Sequence, residues 1–433
     1  MNVRDASLIS DLAPLAVQDY EYLRYGNDRS IKDAFFAGDV LEPWFYYHDI
    51  DVERIDEQLG DVSALTAVVE LFEDTLVRAP YVEKLRKIRE KFELIRAARM
   101  GDDPAVLDAS LRLYGDPQED MFQYALDHVR SCLSSAVQVY GEHPLIRPLI
   151  EALKPVVTGE GEGVYPWSGI ELPTPRTYAT EESLTSHEIL RRVYAAYEQY
   201  GITGWSAVVD APGERMTFNT NHELATIFIP SDEDLSVRRY ALSHERVEAI
   251  IAHEVGVHVR RRVEGEKSPL RLLGFGLAGY LRAEEGIATY AEQVRDGARH
   301  FAGILGYLSV GWARGIDGTP RTFRGLFDMV YPYLVLASLE HALVYDTKVV
   351  DVAKLCEKNR RRAWARCVRT FRGTTGATPG ACFTKDIVYL EGNIAIWQLV
   401  QKDPKRVDTF HLGKYDPANE EHVRLLRELE MLK

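Results

Sequence analysis

Apolar residues recur every three or four positions over a long N-terminal stretch, from about residue 62 to residue 153. Segments such as ALTAVVELFEDTLVRA and PYVEKLRKIREKFELIRAARM place charged residues between these apolar positions, which is typical of amphipathic helices. Over residues 156–175 this period is lost in a stretch rich in glycine and proline. We therefore predict a helical N-terminal region over 1–165, a linker or surface loop, and a second region over 166–433. One continuous domain is the alternative.

The pattern changes again after a further predicted helix over 183–200. Short apolar runs at 205–210 (WSAVVD), 216–219 and 225–230 (ATIFIP) surround a Pro-Gly turn at 212–213. Runs of this length, rich in β-branched residues and bounded by turn residues, predict short strands. The chain therefore contains one small sheet after its helical N-terminal region.

Helices resume directly after the sheet. Ser243 is a suitable N-cap for a helix that begins at His244, passes through a run of three arginines and stops at Gly265. A second helix over 280–295 is expected to end before Gly297. The fold class is thus α+β, mainly α-helical, with a small sheet that precedes the helix beginning at His244.

The composition excludes several classes of protein. The chain has 433 residues, a net charge of −14, 46% hydrophobic residues and no apolar run of the roughly 18 residues that a membrane span needs. No signal peptide is visible at the start of the sequence. We therefore expect a soluble, cytoplasmic protein that binds neither nucleic acid nor membranes. Its four cysteines, none in a CxxC pair, are expected to be reduced thiols: Cys132, Cys356, Cys367 and Cys382.

The first of the two predicted helices carries the pattern HEVGVH, with His253, Glu254 and His258. Two imidazoles and a carboxylate are zinc ligands, and a catalytic zinc keeps one position open for water. On a regular α-helix, however, histidines five residues apart point about 140° away from each other. The pattern works only if the helix takes up one extra residue, as a π-bulge does. Gly256, between the histidines, is the residue best able to permit that distortion.

A third ligand is expected from the second predicted helix, which contains the sequence AEEG. Glu284 and Glu285 are adjacent, so only one of them can point at a given metal. Glu284 shares a helix face with Ile287, and Glu285 shares one with Ala288 and Glu292. Periodicity alone leaves both choices open.

Three blocks, HEVGVH, GYLRAEEGIATYAE and RGTTGATPGACFTKDIVYLEG, together with LYGDP upstream, resemble the microtubule-associated tyrosine carboxypeptidase family. The resemblance implies a gluzincin-like metallopeptidase with one Zn²⁺ per chain. His253, His258 and Glu285 would hold the metal, and Glu254 would be the catalytic base. The chain departs from many relatives in the residue before the two glutamates. It also has a shorter interval between the histidines and the glutamates than the eukaryotic members.

A cluster of arginines lies between residues 360 and 372, followed by Lys385 and Tyr389. It is either a solvated cationic helix face or a site for the terminal carboxylate of a peptide, which needs a fixed cation. In the second interpretation Arg369, Arg372 and Lys385 bind substrate. Tyr389 either donates a hydrogen bond to the oxyanion or is a core aromatic residue. The sequence GFGLAG at 274–279 follows no predicted strand, so we interpret it as a tight connection between two helices.

The function that these patterns favour is zinc-dependent hydrolysis of peptide bonds, with removal of a C-terminal, tyrosine-like residue. The expected partner is a peptide or protein C-terminus, which includes acidic tails. The predicted strand at 225–230 is a candidate for binding substrate by edge pairing. Two alternatives stay open: an aminopeptidase or dipeptidyl peptidase on the same zinc site, and an inactive binding module that zinc stabilises. The sequence leaves the oligomeric state open.

Overall fold

Helices make up most of the chain in the computed structural model, which describes residues 3–16, 23, 29–157, 163–176, 183–215, 217–236, 242–345 and 350–432. The fold is α+β and mainly α-helical, as predicted. None of the described helices is both long enough and apolar enough to cross a bilayer. The helices before the sheet are α1 (Ile9–Leu12), α2 (Arg29–Ala37), α3 (Val52–Glu70), α4 (Thr75–Met100), α5 (Asp103–Tyr114), α6 (Glu119–Tyr140), α7 (Arg147–Leu153) and α8 (Ser186–Tyr200).

The remaining helices follow the sheet. They are α9 (Asp232–Ser236), α10 (His244–His253), α11 (Arg260–Lys267), α12 (Leu272–Phe275), α13 (Leu281–Asp296), α14 (Ile304–Arg314), α15 (Phe323–Tyr345), α16 (Val352–Thr370), α17 (Ile387–Lys402) and α18 (Glu420–Glu428). A π-helical segment, Glu254–Val259, joins α10 to α11 without a break. Short 3₁₀ turns lie at Ala13–Leu15, Lys154–Val156, Thr384–Asp386 and Pro404–Thr409.

Capping residues set the boundaries that periodicity did not show. The apolar pattern of ALTAVVELFEDTLVRA continues across the end of α3, but Asp74 accepts a hydrogen bond from the backbone N–H of Leu76 and starts α4. Gly101, with φ 68°, ends α4 in the left-handed conformation that glycine adopts without strain. The predicted helical character of the N-terminal region is confirmed, with this break added.

The sheet has three strands in the order β1-β3-β2: β1 (Ser206–Val209), β2 (Asn219–Asn221) and β3 (Thr226–Ile229). β3 pairs in parallel with β1 and antiparallel with β2. The predicted strand at 216–219 is displaced toward the C-terminus, and its first residue, Met216, lies outside the described residues. The proposed edge pairing of the strand at 225–230 is wrong, because β3 is the central strand and both its edges are already paired.

One large hydrophobic core contains side chains from both ends of the chain. Phe92 of α4, Trp312 of α14 and Tyr415 near the C-terminus are all part of it. The ranges 1–165 and 166–433 therefore share a core. A second core lies between the sheet, α8 and α10, and includes Ile227 and Val255. The described part of 156–175 is irregular apart from its 3₁₀ turn and a short turn, as expected of a loop.

The two helices predicted after the sheet are present. Ser243 caps α10 by accepting from the N–H of Arg246, and α13 ends at Gly297, which has φ 74°. The predicted stop at Gly265 is wrong, because α11 continues to Lys267. Gly265 instead allows a close approach between helices, since a Cβ there would lie 2.3 Å from the carbonyl carbon of Leu273.

Candidate metal centre

The π-helical segment brings the two motif histidines to the same side of their helix. His253 is the last residue of α10, and His258 lies five residues later, inside Glu254–Val259. Their ring centroids are 5.0 Å apart. The extra residue of the π turn removes the offset that a regular helix would impose. The π-bulge that the histidine spacing predicts is confirmed.

Gly256 has a smaller role in this turn than its position in the motif indicates. Its backbone is outside the left-handed region, and a Cβ there would lie 3.5 Å from the hydroxyl oxygen of Tyr200. That distance is an ordinary van der Waals contact. The π turn therefore does not depend on glycine for steric reasons.

Glu285 of α13 completes a group of three possible ligands with His253 and His258. One ligand atom from each residue lies within 4.8 Å of the other two, and Glu285 is half-buried. We call this group the histidine–glutamate site. Two imidazole nitrogens and one carboxylate oxygen suit a zinc ion with an open fourth position. The residues present therefore fit the metal that the motif implies.

Each histidine of this site contacts a carboxylate through its Nδ1 atom. His253 Nδ1 lies 3.1 Å from Glu292 Oε2, and His258 Nδ1 lies 3.0 Å from Glu284 Oε1. Such contacts fix the ring orientation and leave Nε2 for a metal. The sequence did not identify Glu292 as a functional residue. A signal existed, because Glu292 lies two turns after Glu285 on the same face of α13.

The contact with Glu292 controls the protonation of His253. Burial lowers the pKa of His253, but the hydrogen bond to Glu292 and the charge of Glu254 outweigh it and raise the pKa to about 9. Burial raises the pKa of Glu292, whereas His253 and Arg246 lower it more, to about 2. Arg246 Nη1 lies 2.7 Å from Glu292. The metal-free site therefore contains an ion pair at neutral pH.

Glu284 lies on the other side of His258, in a fully buried group of charges. Its side chain is 2% exposed, and its Oε1 lies 3.2 Å from Lys414 Nζ. Arg261, which is 1% exposed, donates to the other carboxylate oxygen and, through Nε, to the carbonyl of Gly413 at 2.8 Å. Burial raises the pKa of Glu284, but Lys414 and Arg261 bring it well below its usual range. Glu284 is thus a permanent anion that orients His258, while Glu285 joins the ligand group.

Glu254, the remaining acidic residue of the motif, contacts the sheet. Thr220 Oγ1 on β2 donates to Glu254 Oε2 at 2.6 Å. β2 is an edge strand of the described sheet. Because Thr220 belongs to β2, this edge of the sheet faces Glu254. The small sheet therefore positions a carboxylate beside the ligand group.

Tyr389 and Arg369 lie together on α17 and α16. Arg369 donates to Asp386 Oδ1 from Nε at 3.0 Å and from Nη2 at 2.7 Å, and Nη2 is 3.3 Å from the Tyr389 hydroxyl. The Arg369 side chain remains 40% exposed. The charge of Glu285, followed by burial, raises the pKa of Tyr389 above its ordinary value. Tyr389 therefore keeps its proton and can act as a hydrogen-bond donor.

A close approach of two glycines connects Tyr389 to the ligand helix. A Cβ at Gly286 of α13 would lie 2.3 Å from the carbonyl oxygen of Gly392 on α17. A Cβ at Gly392 would lie 1.9 Å from the carbonyl oxygen of Arg282. Gly286 is the last residue of the sequence AEEG, and Gly392 is the last residue of the block RGTTGATPGACFTKDIVYLEG noted above. They allow α13 and α17 to touch backbone to backbone.

Two other predicted substrate-binding residues lie close to Arg369 in the sequence: Lys385 in the 3₁₀ turn before α17, and Arg372 two residues after the end of α16. Lys385 lines a cavity of about 300 Å³ at the N-terminal end of α13, together with Lys84, Lys87, Lys91 and Arg282. Arg372 is half-buried just after α16. Most arginines of the cluster contact protein groups: Arg360 the carbonyl of Phe36, Arg361 Glu357, Arg362 Asn359 and Arg366 Asp386. GFGLAG lies between the two helices that carry the candidate metal ligands, as predicted, but its first two residues belong to the short helix α12. Gly276 and Gly279 have positive φ.

Two helices that present two histidines and a glutamate, with a further glutamate held beside them, define an HExxxH-type candidate metal centre. The family model described as microtubule-associated tyrosine carboxypeptidase matches residues 172–300 and 348–433, and the chain belongs to this family. Membership implies a peptidase, and specifically a carboxypeptidase. No curated protein and no solved structure matches the chain. The matched segments contain α10, the π turn, α13, α16 and α17, which together carry the site.

Proposed function

We propose that the protein is a zinc-dependent carboxypeptidase that removes a tyrosine-like residue from a peptide or protein C-terminus. The observation that carries the proposal is the convergence of His253, His258 and Glu285 within 4.8 Å. The carboxylates that contact Nδ1 of both imidazoles also support the proposal, because they favour the tautomer that binds metal through Nε2. The proposal includes a gluzincin-like arrangement of these two helices.

The proposed chemistry needs one metal and one base. A bound Zn²⁺ supplies Lewis acidity, which lowers the pKa of a water molecule and polarises the scissile carbonyl. Glu254 accepts the proton from that water and later delivers it to the leaving amine. Because Oε2 of Glu254 accepts from Thr220, we assign the proton transfer to Oε1. The Tyr389 hydroxyl donates to the oxygen on which negative charge develops.

Arg369 is the proposed partner of the substrate's terminal carboxylate. Asp386 holds its guanidinium in place, and the side chain is partly exposed. Arg369 is therefore a fixed cation that a substrate carboxylate can still reach. Arg372 stays a prediction for the same role. Lys385 lines the cavity at the N-terminal end of α13, where Glu391 and Asp416 lie among the basic residues. We assign Lys385 to acidic side chains upstream of the cleaved bond. This arrangement favours acidic tails as substrates.

The direction of cleavage tests the proposal. The zinc-loaded protein is given one acidic peptide that ends in tyrosine, in a free form, a C-terminally amidated form and an N-acetylated form. Amidation should reduce cleavage far more than acetylation, because it removes the carboxylate that Arg369 binds. Equal cleavage of the free and amidated peptides contradicts a carboxypeptidase, and loss on acetylation selects an aminopeptidase.

Arg369→Gln provides the matched variant experiment. It should raise KM for the free peptide and leave the slow cleavage of the amidated peptide unchanged. Arg361→Gln is the control, because Arg361 lies on the same helix, is 68% exposed and pairs with Glu357. Turnover of acidic peptides should also fall as salt rises, since Lys385 acts through screened attraction. An equal change of KM in the two arginine variants would show that Arg369 does not bind the terminal carboxylate.

A further inference from the structure

A second group of possible metal ligands lies between α6 and α15. It consists of His128 and Cys132 on α6 and Glu340 on α15, and one ligand atom from each lies within 4.8 Å of the other two. We call it the thiol cluster. All three residues are outside the segments that the family model matches. Family membership therefore assigns them no role.

The distances within the thiol cluster are close to those of a metal site. Cys132 Sγ lies 3.1 Å from Glu340 Oε2 and 3.4 Å from His128 Nδ1. A tetrahedral zinc ion at its usual bond lengths holds a sulfur and a nitrogen or oxygen ligand about 3.5 Å apart. The observed atoms are within about half an ångström of that spacing. Binding an ion therefore needs only a small adjustment of side chains.

The surroundings orient the ligands. Ser131 and Ser135 donate to Glu340 Oε1 at 2.7 and 3.3 Å, and Oε2 faces Cys132. His128 and Cys132 are four residues apart on α6, so they share one helix face. Tyr333 places its hydroxyl 3.3 Å from His128 Nδ1. A carboxylate whose second oxygen is already held loses little freedom when its first oxygen binds an ion.

We propose that the thiol cluster binds a divalent metal ion of the zinc class, with Cys132, His128 and Glu340 as ligands. Thiolate, imidazole and carboxylate together are a donor set that zinc accepts. Cys132 donates its thiol proton to Glu340 in the metal-free protein, and this proton leaves to solvent when the sulfur–metal bond forms. His300, whose ring centroid is 4.4 Å from that of His128, is available as a fourth ligand. The ion joins a helix of the N-terminal region to a helix of the C-terminal half.

Cobalt provides the test, because a thiolate ligand gives Co²⁺ a charge-transfer absorption in the near ultraviolet. The metal-free, full-length protein is titrated with Co²⁺. We expect two equivalents to bind, and the absorption to accompany one of them. His253→Ala should lose one equivalent and keep the absorption. Cys132→Ala should lose the other equivalent together with the absorption, and Cys356→Ala, a half-buried cysteine outside the cluster, should change neither.

The outcome does not depend on the folding of one variant. Glu340→Gln keeps the shape of the side chain and should weaken the absorbing site at least about tenfold. Absence of thiolate absorption in the unaltered protein overturns the proposal, as does absorption that survives in Cys132→Ala. Binding of only one equivalent, the one with the absorption, to the unaltered protein would instead count against the zinc site of the proposed function. The two proposals therefore fail separately.

Discussion

The histidine–glutamate site and the thiol cluster each contain three possible metal ligands. They differ in the groups that contact these ligands. In the first, carboxylates contact both imidazoles, and Glu254 adds a further negative charge. In the second, the ligands contact one another, and Glu340 is the one carboxylate among them. Charge around a ligand group attracts a metal and tunes a reaction, whereas ligand-to-ligand contacts only prepare a binding geometry. The comparison supports the two proposals, of a reactive centre in the first case and of a structural ion in the second.

The largest effect is expected from a variant that loses catalytic turnover but still binds metal. Glu254→Gln should lower kcat by about 10²–10⁴-fold, because an amide cannot accept the proton of the attacking water. Metal content should be unchanged at both groups of ligands, as measured by metal analysis of the purified protein. Glu248→Gln, on the same helix and paired with Arg192, is the control. Near-parent turnover in Glu254→Gln would exclude the assigned base.

The pH dependence of metal affinity should distinguish the histidine–glutamate site from the thiol cluster. With its pKa at about 9, His253 is protonated at neutral pH in the metal-free protein and must lose this proton to bind an ion. The apparent affinity should therefore fall about tenfold for each pH unit from 9 down to 7. Chelator competition on Cys132→Ala measures this site alone.

Glu292→Gln sharpens that measurement. It removes the hydrogen bond that raises the pKa of His253, so the decline in affinity should begin at a lower pH. Glu266→Gln, which affects the ion pair of Glu266 with the half-buried Arg262, should leave the pH profile as it is. A profile that is flat between pH 7 and 9 in the unaltered protein contradicts the assigned ion pair.

A smaller effect is expected where the two glycine-containing helices touch. Gly392→Ala places a Cβ against the backbone of α13 and should destabilise the fold by about 1–3 kcal/mol. Activity should fall as Tyr389 moves away from Glu285, while cobalt binding at the thiol cluster persists. Gly60→Ala is the matched control, since a Cβ there meets nothing within 4 Å. Urea unfolding measures both, and equal midpoints would rule out the close contact.

The smallest effect is expected at the π turn. Gly256→Ala should change the free energy of unfolding by no more than about 0.5 kcal/mol, because its Cβ has room and its backbone is unstrained. Metal affinity at the histidine–glutamate site should be retained. A large loss of affinity in this variant would mean that the turn needs the flexibility of glycine.

The sequence alone was sufficient to predict the structure where the geometry depends on neighbouring residues. The five-residue spacing of His253 and His258 required an extra residue in the helix, and the π turn is there. The sequence was not sufficient where distant segments meet. Glu284 and Glu285 both fit the face pattern of α13, and the choice rests on Arg261 and Lys414, which surround Glu284.

Three other features also depend on contacts that no periodicity reveals. Strand order decides which edge of the sheet is open, and the short apolar runs predicted strands without their order. Cys132 and Glu340 are 208 positions apart in the sequence, so nothing local marks them as neighbours. A helix boundary such as that at Asp74 is visible only when its side-chain cap is known.

The contact between Gly286 and Gly392 has a mechanical consequence. Because backbone meets backbone there, no side chain separates α13 from α17 at this point, whereas Ile287 and Ile396 pack between the helices further along. The distance between the two helix backbones at this contact is then fixed by van der Waals contact between backbone atoms. Hydrostatic pressure, which acts on internal voids, should leave this distance nearly unchanged until the whole domain unfolds.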